Sequence, residues 1–274
     1  MTARLKVIAA MVIFGSIGLL RRSCNLPSGF LACGRGLIGA AFMWLLYHGQ
    51  SKRPQGKTLW LLILSGCLIG LNWVLLFEAY NHTSITSAMM CYYLAPLIAI
   101  LLAALCLKEP LRFRQLLCVI LTLIGASLTA DFSFSQPFFD KGIIFALLAA
   151  LFYGTVIVLN RFIKDVDGRQ RTIIQLFFAG LITFPYSLFT ENWQLISFNA
   201  FPALLVMGIL HTGIAYALYF SAIEQLNTFE VGLLSYLDPL VAVLISVFVL
   251  QELLSFKILL GIVMMLTGLF FLEV

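Results

Sequence analysis

Apolar residues in this chain gather into ten long stretches separated by short polar links. Read against the ~20 residues that a helix needs to cross a bilayer, they fall at about residues 4–21, 28–48, 58–80, 84–107 and 112–130. A second set follows at about residues 141–161, 171–189, 200–222, 227–250 and 255–273. The pattern predicts an all-α membrane protein of ten transmembrane helices, with no soluble domain inserted in any link. The first stretch, Leu5 to Leu20, lacks an A-x-A cleavage site and runs directly into Arg21 and Arg22, so it reads as a retained span.

The second set echoes the first at a fixed offset of 143 residues. Pro96, Glu109 and Gly125 return as Pro239, Glu252 and Gly268, and Tyr93-Leu94 returns as Tyr236-Leu237. Gly70, Phe77 and Ala79 return as Gly213, Phe220 and Ala222. Residues 1–130 therefore form one five-helix repeat and 141–274 a second, joined by a polar linker at 131–140. Five crossings is an odd number, so the second repeat enters the membrane upside down. Two inverted repeats around a shared cavity is an architecture of secondary transporters.

Composition supports the membrane assignment. The chain is 62% hydrophobic and 11% charged, with a mean hydropathy of +1.03, against roughly 25% charged in soluble domains. The net charge of +5 is spread between apolar stretches, so it reports orientation and not a nucleic-acid partner. Of the 17 Lys and Arg, twelve lie on the side of the N-terminus, four lie opposite, and Arg35 sits inside a span. Positive residues stay inside, which places both termini in the cytoplasm and the protein in the cytoplasmic (inner) membrane.

Several motifs are discarded on context. Gly34 to Gly39 fits G-x-G-x-x-G, but it lies inside a predicted membrane helix where no strand precedes it. Ala32, Gly36 and Ala40 read better as a small-residue stripe that lets a neighbouring helix approach. The Asn81-His82-Thr83 sequon lies too close to the membrane to signify glycosylation. The six cysteines form no CxxC and have no histidine at metal-ligand spacing, so they read as packing residues. Scattered histidines and scarce carboxylates predict no enzyme, no cofactor and no metal.

The polar residues inside the spans are the candidates for chemistry, because a mid-membrane charge costs ~2.5–3.5 kcal/mol on insertion scales. They are Arg35, Asn72, Glu78, His211 and Asp238. Arg35 and Glu78 could form a structural ion pair between spans two and three, since intramembrane charges commonly pair. Asp238 lies near the midplane, its only candidate partners being Arg35 and His211. Pro96 and Pro239, in the middle of spans four and nine, free the carbonyls of Tyr92 and Ser235, which is tolerated beside protein or a water-filled cavity. Tyr92, Tyr93, Tyr153, Tyr236, Trp73, Tyr216 and Tyr219 gather at this depth, an aromatic lining suited to flat rings or organic cations.

Tyr93-Leu-Ala-Pro96 through Lys108-Glu109, and Tyr236-Leu-Asp-Pro239 through Gln251-Glu252, resemble the EamA repeat of the drug/metabolite transporter superfamily. Gly213-Ile-Ala-Tyr216, Phe14-Gly15-Ser16 and Tyr153-Gly154 fit it too, and Arg35 is similar to an arginine often found in its second helix. The resemblance implies a carrier whose central cavity is lined mainly by helices 1, 3, 4, 6, 8 and 9. It covers a family that moves amino acids, nucleobase-type metabolites, sugars, amines and toxic organic compounds. One departure stands out: position 95 is Ala where its mate 238 is Asp.

The expected function is alternating-access transport of a small amphipathic metabolite, amino-acid-like or an organic amine, by a monomer or homodimer in the lipid bilayer. Asn72, Trp73, Glu78, Tyr92, Tyr93, Tyr153, His211, Tyr216, Tyr236 and Asp238 are expected to line the cavity. Asp238 would hold a cationic group or take part in proton coupling. Arg35, Pro96, Pro239, Glu109 and Glu252 are expected to be structural or gating. The alternative is a non-transporting membrane scaffold or receptor-like module, whose polar residues would pair off around a packed centre.

Overall fold

A computed structural model describes residues 1–17, 20, 26–46, 54–83, 85–110, 112–129, 140–190, 200–249, 251 and 255–271. The predicted linker, apart from Asp140, and Glu252 lie outside these residues. Everything with regular structure among them is helical. The helices are α1 (Ala3–Gly15), α2 (Ser28–Leu46), α3 (Gly56–His82), α4 (Ile85–Tyr92), α5 (Ala95–Cys106), α6 (Phe113–Thr129) and α7 (Lys141–Phe162). They continue as α8 (Gly168–Thr190), α9 (Phe201–Gly208), α10 (Ala215–Ala222), α11 (Thr228–Ser235), α12 (Leu237–Phe248) and α13 (Phe256–Phe270). A π-helical turn, Ile209–Ile214, joins α9 to α10.

Among the described residues, seven helices are long and apolar enough to cross a bilayer. They are α2, α3, α7, α8 and the composite runs α4–α5, α9–α10 and α11–α12. Phe113–Leu128 and Phe256–Leu269 are apolar but shorter, and α1 has 13 residues. Their outer surfaces are what lipid requires. Leu105, Phe113, Phe189, Phe248 and Phe256 are each at least three-quarters exposed, an arrangement that water would penalise at ~25 cal/mol per Å².

Local chemistry sets several helix starts. Thr2 accepts the N–H of Leu5, Asp140 that of Gly142 and Ser255 that of Ile258. Asn227 and Glu230 form a reciprocal capping box at the start of α11. The spans that carry Pro96 and Pro239 are each broken in the middle, α4 from α5 at Tyr93-Leu94 and α11 from α12 at Tyr236, whereas Pro185 lies inside the unbroken α8.

Helices cross where glycine removes the side chain. A Cβ on Gly36 would meet Gly180 and one on Gly39 would meet Leu176, so α2 and α8 run antiparallel. These are residues of the discarded G-x-G-x-x-G, and they serve helix packing. Gly125 lies against Gly261 and Met265, while Gly268 lies against Cys118 and Thr122. Those two sets of contacts interchange under a shift of 143, and they make α6 and α13 antiparallel. Gly15 meets the carbonyl of Asp238 and Val241, and Gly154 meets the carbonyl of Ala95 and Ile98. Asp238 and Val241 are the mates of Ala95 and Ile98. Lys108 and Gln251, another such pair, both adopt a left-handed backbone, at φ 54° and 55°.

Candidate functional site

The two helix breaks face each other across a small cavity of about 30 Å³. The α4–α5 break contributes Tyr92, Tyr93, Ala95 and Pro96 to its wall, and the α11–α12 break Ser235, Tyr236, Asp238 and Pro239. Met11 of α1 and Tyr153 of α7 complete it. Each proline removes a backbone N–H. The carbonyl that a side chain meets is Tyr93's, one residue beyond the Tyr92 carbonyl expected from the i–4 rule. It accepts the Tyr236 hydroxyl at 2.9 Å. Tyr92 and Tyr153 stack at 5.8 Å with 26° between ring planes, forming a flat aromatic wall.

Asp238 lies in the first turn of α12, where the helix field favours a negative charge. Its carboxylate makes no hydrogen bond or ion pair with any described residue, although it borders the cavity. Neither candidate partner engages it. Arg35, 7% exposed, donates from Nε to Thr212 at 3.0 Å and lies over the Trp73 ring at 4.4 Å. His211 Nε2 meets the Ser16 hydroxyl at 3.1 Å.

Around the cavity wall lies a second layer. Asn72 donates to the Ala149 carbonyl at 2.7 Å and accepts the Tyr92 hydroxyl at 3.4 Å, so it positions Tyr92 from behind. Trp73 and Phe14 contact Tyr216 edge-on at 6.2 and 5.1 Å. Asn72, Trp73, His211 and Tyr216 are buried and lie outside the residues that line this cavity.

The suggested Arg35–Glu78 ion pair does not form. Glu78 accepts hydrogen bonds from Tyr186 and Asn81 and lies 3.8 Å from His82 Nδ1. It also stands apart from the cavity. Six residues beyond Asn72, it is ~9 Å further along α3 and turned by ~240°. Arg35 is instead held by a neutral hydroxyl and an aromatic face.

A polar network joins helix ends at the Arg4 end of the bundle. Glu109 accepts from the N–H and hydroxyl of Thr228 at 3.2 and 3.1 Å and lies 3.5 Å from Arg161. Arg161 also donates to the carbonyls of Ile223, Glu224 and Leu226. Arg4 pairs with Glu230 at 2.6 Å, and Arg171 pairs with Glu224.

Sequence reasoning missed three parts of this arrangement. Arg171 counts as a loop charge on hydropathy, yet it is fully buried and donates to the Asn160 and Ile163 carbonyls. Asn160 and Gln175, near the same end, bond to each other at 2.8 Å, and Asn160 also reaches Ser65. Their polarity inside apolar runs was the available signal. The π turn was not legible. It lets Thr212 donate to the Met207 carbonyl, five residues back, while accepting from Arg35.

Comparison with known proteins agrees with this architecture. The chain is 32% identical to an uncharacterized transporter, YxxF, of Bacillus subtilis over 89% of its own length and 81% of that protein. It is 30% identical to Protein PecM of Dickeya dadantii, covering 82% and 77%. It is 27% identical to Protein RarD of Salmonella typhimurium, covering 77% and 70%. A solved crystal structure superposes with a TM-score of 0.86 at 20% identity, over 97% of this chain and 95% of the other, which speaks to the fold alone. The profile of the EamA-like transporter family matches residues 1–130 and 140–274. With its apolar helices and lipid-facing surface, the chain is a multi-pass membrane transporter and belongs to the EamA-like transporter family.

Proposed function

We propose that this protein is a secondary-active carrier of a small amphipathic metabolite, amino-acid-like or an organic amine, working by alternating access across the cytoplasmic membrane. The observation that carries the reading is the unpartnered Asp238 carboxylate beside a cavity walled by Tyr92, Tyr93, Tyr153 and Tyr236. An isolated charge at this depth is costly. It is retained where a ligand supplies the missing partner, here a cationic group whose apolar remainder lies on the tyrosine rings. The same carboxylate is the candidate for proton coupling. A scaffold would have paired its polar groups, and Asp238 is unpaired.

Ten crossings in two inverted five-helix repeats are the architecture that fits. The antiparallel contacts that interchange at 143 residues support inversion, and the three shorter helices supply the remaining crossings. The excess of Lys and Arg on the N-terminal side supports cytoplasmic termini.

The test is counterflow in liposomes containing the purified protein, with labelled amines and amino acids. Saturable uptake of one of these classes, lost in Asp238→Asn, is expected. Unchanged uptake and pH dependence in the variant would remove Asp238 from the mechanism. Absence of uptake for every amine and amino acid would overturn the substrate class.

A further inference from the structure

A second cavity, of about 260 Å³, opens at the Arg4 end of the bundle, away from the tyrosine-walled one. It lies between the end of α5, the first turn of α6 and the start of α11. Ile100 and Phe229 form an apolar part, while Arg112, Gln115 and Asn227 form a polar part.

The hydrogen bonds already made around this cavity fix what is left over. Gln115 uses its amide oxygen to accept the backbone N–H of Arg112 at 3.2 Å. Asn227 uses its amide oxygen to accept the N–H of Glu230 at 2.8 Å. Neither side-chain NH₂ donates to a described residue. The Arg112 guanidinium makes no bond to any described residue. Among the described residues Glu109 is the one carboxylate in the wall, and Thr228 and Arg161 each engage it, so that both of its oxygens have a partner. Among the described side chains of the wall, the polar groups without a partner are thus donors, one of them charged. The N-termini of α6 and α11 add their partial positive charge on the same side.

We infer that this cavity is a binding site for the phosphate headgroup of an anionic membrane lipid. Arg112 supplies the charge, and the Gln115 and Asn227 amides supply further donors. A lipid is favoured over a free anion because the cavity has an apolar floor. In addition, α5 and α6 turn Leu101, Leu105, Phe113 and Leu117 outward, so acyl chains already lie along the helices that form it. Basic pockets between helix ends at the membrane surface take such headgroups.

The test compares thermal unfolding of the full-length protein in nanodiscs of phosphatidylcholine with and without phosphatidylglycerol. Variants are Arg112→Ala, Gln115→Leu and, as a control, Arg114→Ala, whose guanidinium lies over the Phe271 ring 5.5 Å away. Phosphatidylglycerol is expected to raise the midpoint for the natural sequence and Arg114→Ala. The gain should be lost in Arg112→Ala and reduced in Gln115→Leu. Direct lipid titration in detergent should show roughly tenfold or greater weakening for Arg112→Ala, the scale of one charge-assisted hydrogen bond. An equal gain in Arg112→Ala and the natural sequence would overturn the site. An equal effect from inorganic phosphate in detergent would overturn the lipid as its occupant.

Discussion

The hydroxyl of Tyr236 donates to the backbone carbonyl of Tyr93 at 2.9 Å, and the two residues are mates at the 143-residue offset. The bond ties one broken helix to the other across the cavity. It is one-sided, since the Tyr93 hydroxyl makes no bond to the described residues. Tyr236 is 1% exposed, so water has little access to replace a lost donor.

Tyr236→Phe is therefore expected to cost ~1 kcal/mol, near the centre of the range for a buried hydrogen bond. Tyr93→Phe is expected to cost a few tenths at most, because no bond is removed. Thermal unfolding in one detergent separates the two, and equal losses would show that the link contributes nothing.

Asp238→Asn should leave the fold as stable as before or make it more stable, while transport is lost. A charge without a partner is a burden in a low-dielectric setting, and the amide removes that burden at almost the same volume. Groups retained at a functional site against stability behave this way. A clear drop in unfolding temperature would instead make Asp238 a structural residue with a partner.

The breaks beside Pro96 and Pro239 were legible because each proline removes a backbone N–H in mid-span and the two are mates at the 143-residue offset, whereas Pro185 is carried inside α8 without a break. The prominence of Asp238 was legible because its mate is Ala95. What escaped was whatever depends on rotation about a helix axis. Glu78 and Arg35 lie in neighbouring spans, but α3 turns Glu78 toward Tyr186 on α8, and Arg35 meets Trp73 and Thr212. Arg171 escaped because hydropathy scores a charge at a helix end as exposed. Here carbonyls at the end of α7 and Glu224 surround it.

Gly15 and Gly154 invite a comparison of the two halves. A Cβ on Gly15 would lie 2.6 Å from the Asp238 carbonyl oxygen and 2.8 Å from Val241 Cβ. On Gly154 the nearest atoms, the Ala95 carbonyl oxygen and Ile98 Cγ2, are each at 3.0 Å. Overpacking of this kind costs ~1–3 kcal/mol; both sites press on backbone that cannot swing aside, and Gly15 is the tighter of the two. Gly15→Ala should therefore lie toward the upper end of that range and shift α12 at Asp238, lowering transport. Gly154→Ala should be milder on both counts, measured by unfolding and by uptake.

Glu109 and Arg161 form a pair whose members should differ in importance. Losing a partner from a buried ion pair costs ~3–5 kcal/mol when the other charge is left unsatisfied. Arg161 would not be left so, because three carbonyls, of Ile223, Glu224 and Leu226, accept from it at 2.6 to 3.2 Å. Glu109→Ala should then cost no more than a lost helix cap at Thr228, ~0.5–2 kcal/mol. Glu109→Gln should cost less, since an amide oxygen can still accept the Thr228 N–H. Arg161→Met strips the donor from three carbonyls and from Glu109 at once, so it should exceed both. Denaturation of the three variants gives the ranking directly. If Glu109→Ala were the most damaging, the charge pair and not the carbonyl contacts would hold this end of the bundle together.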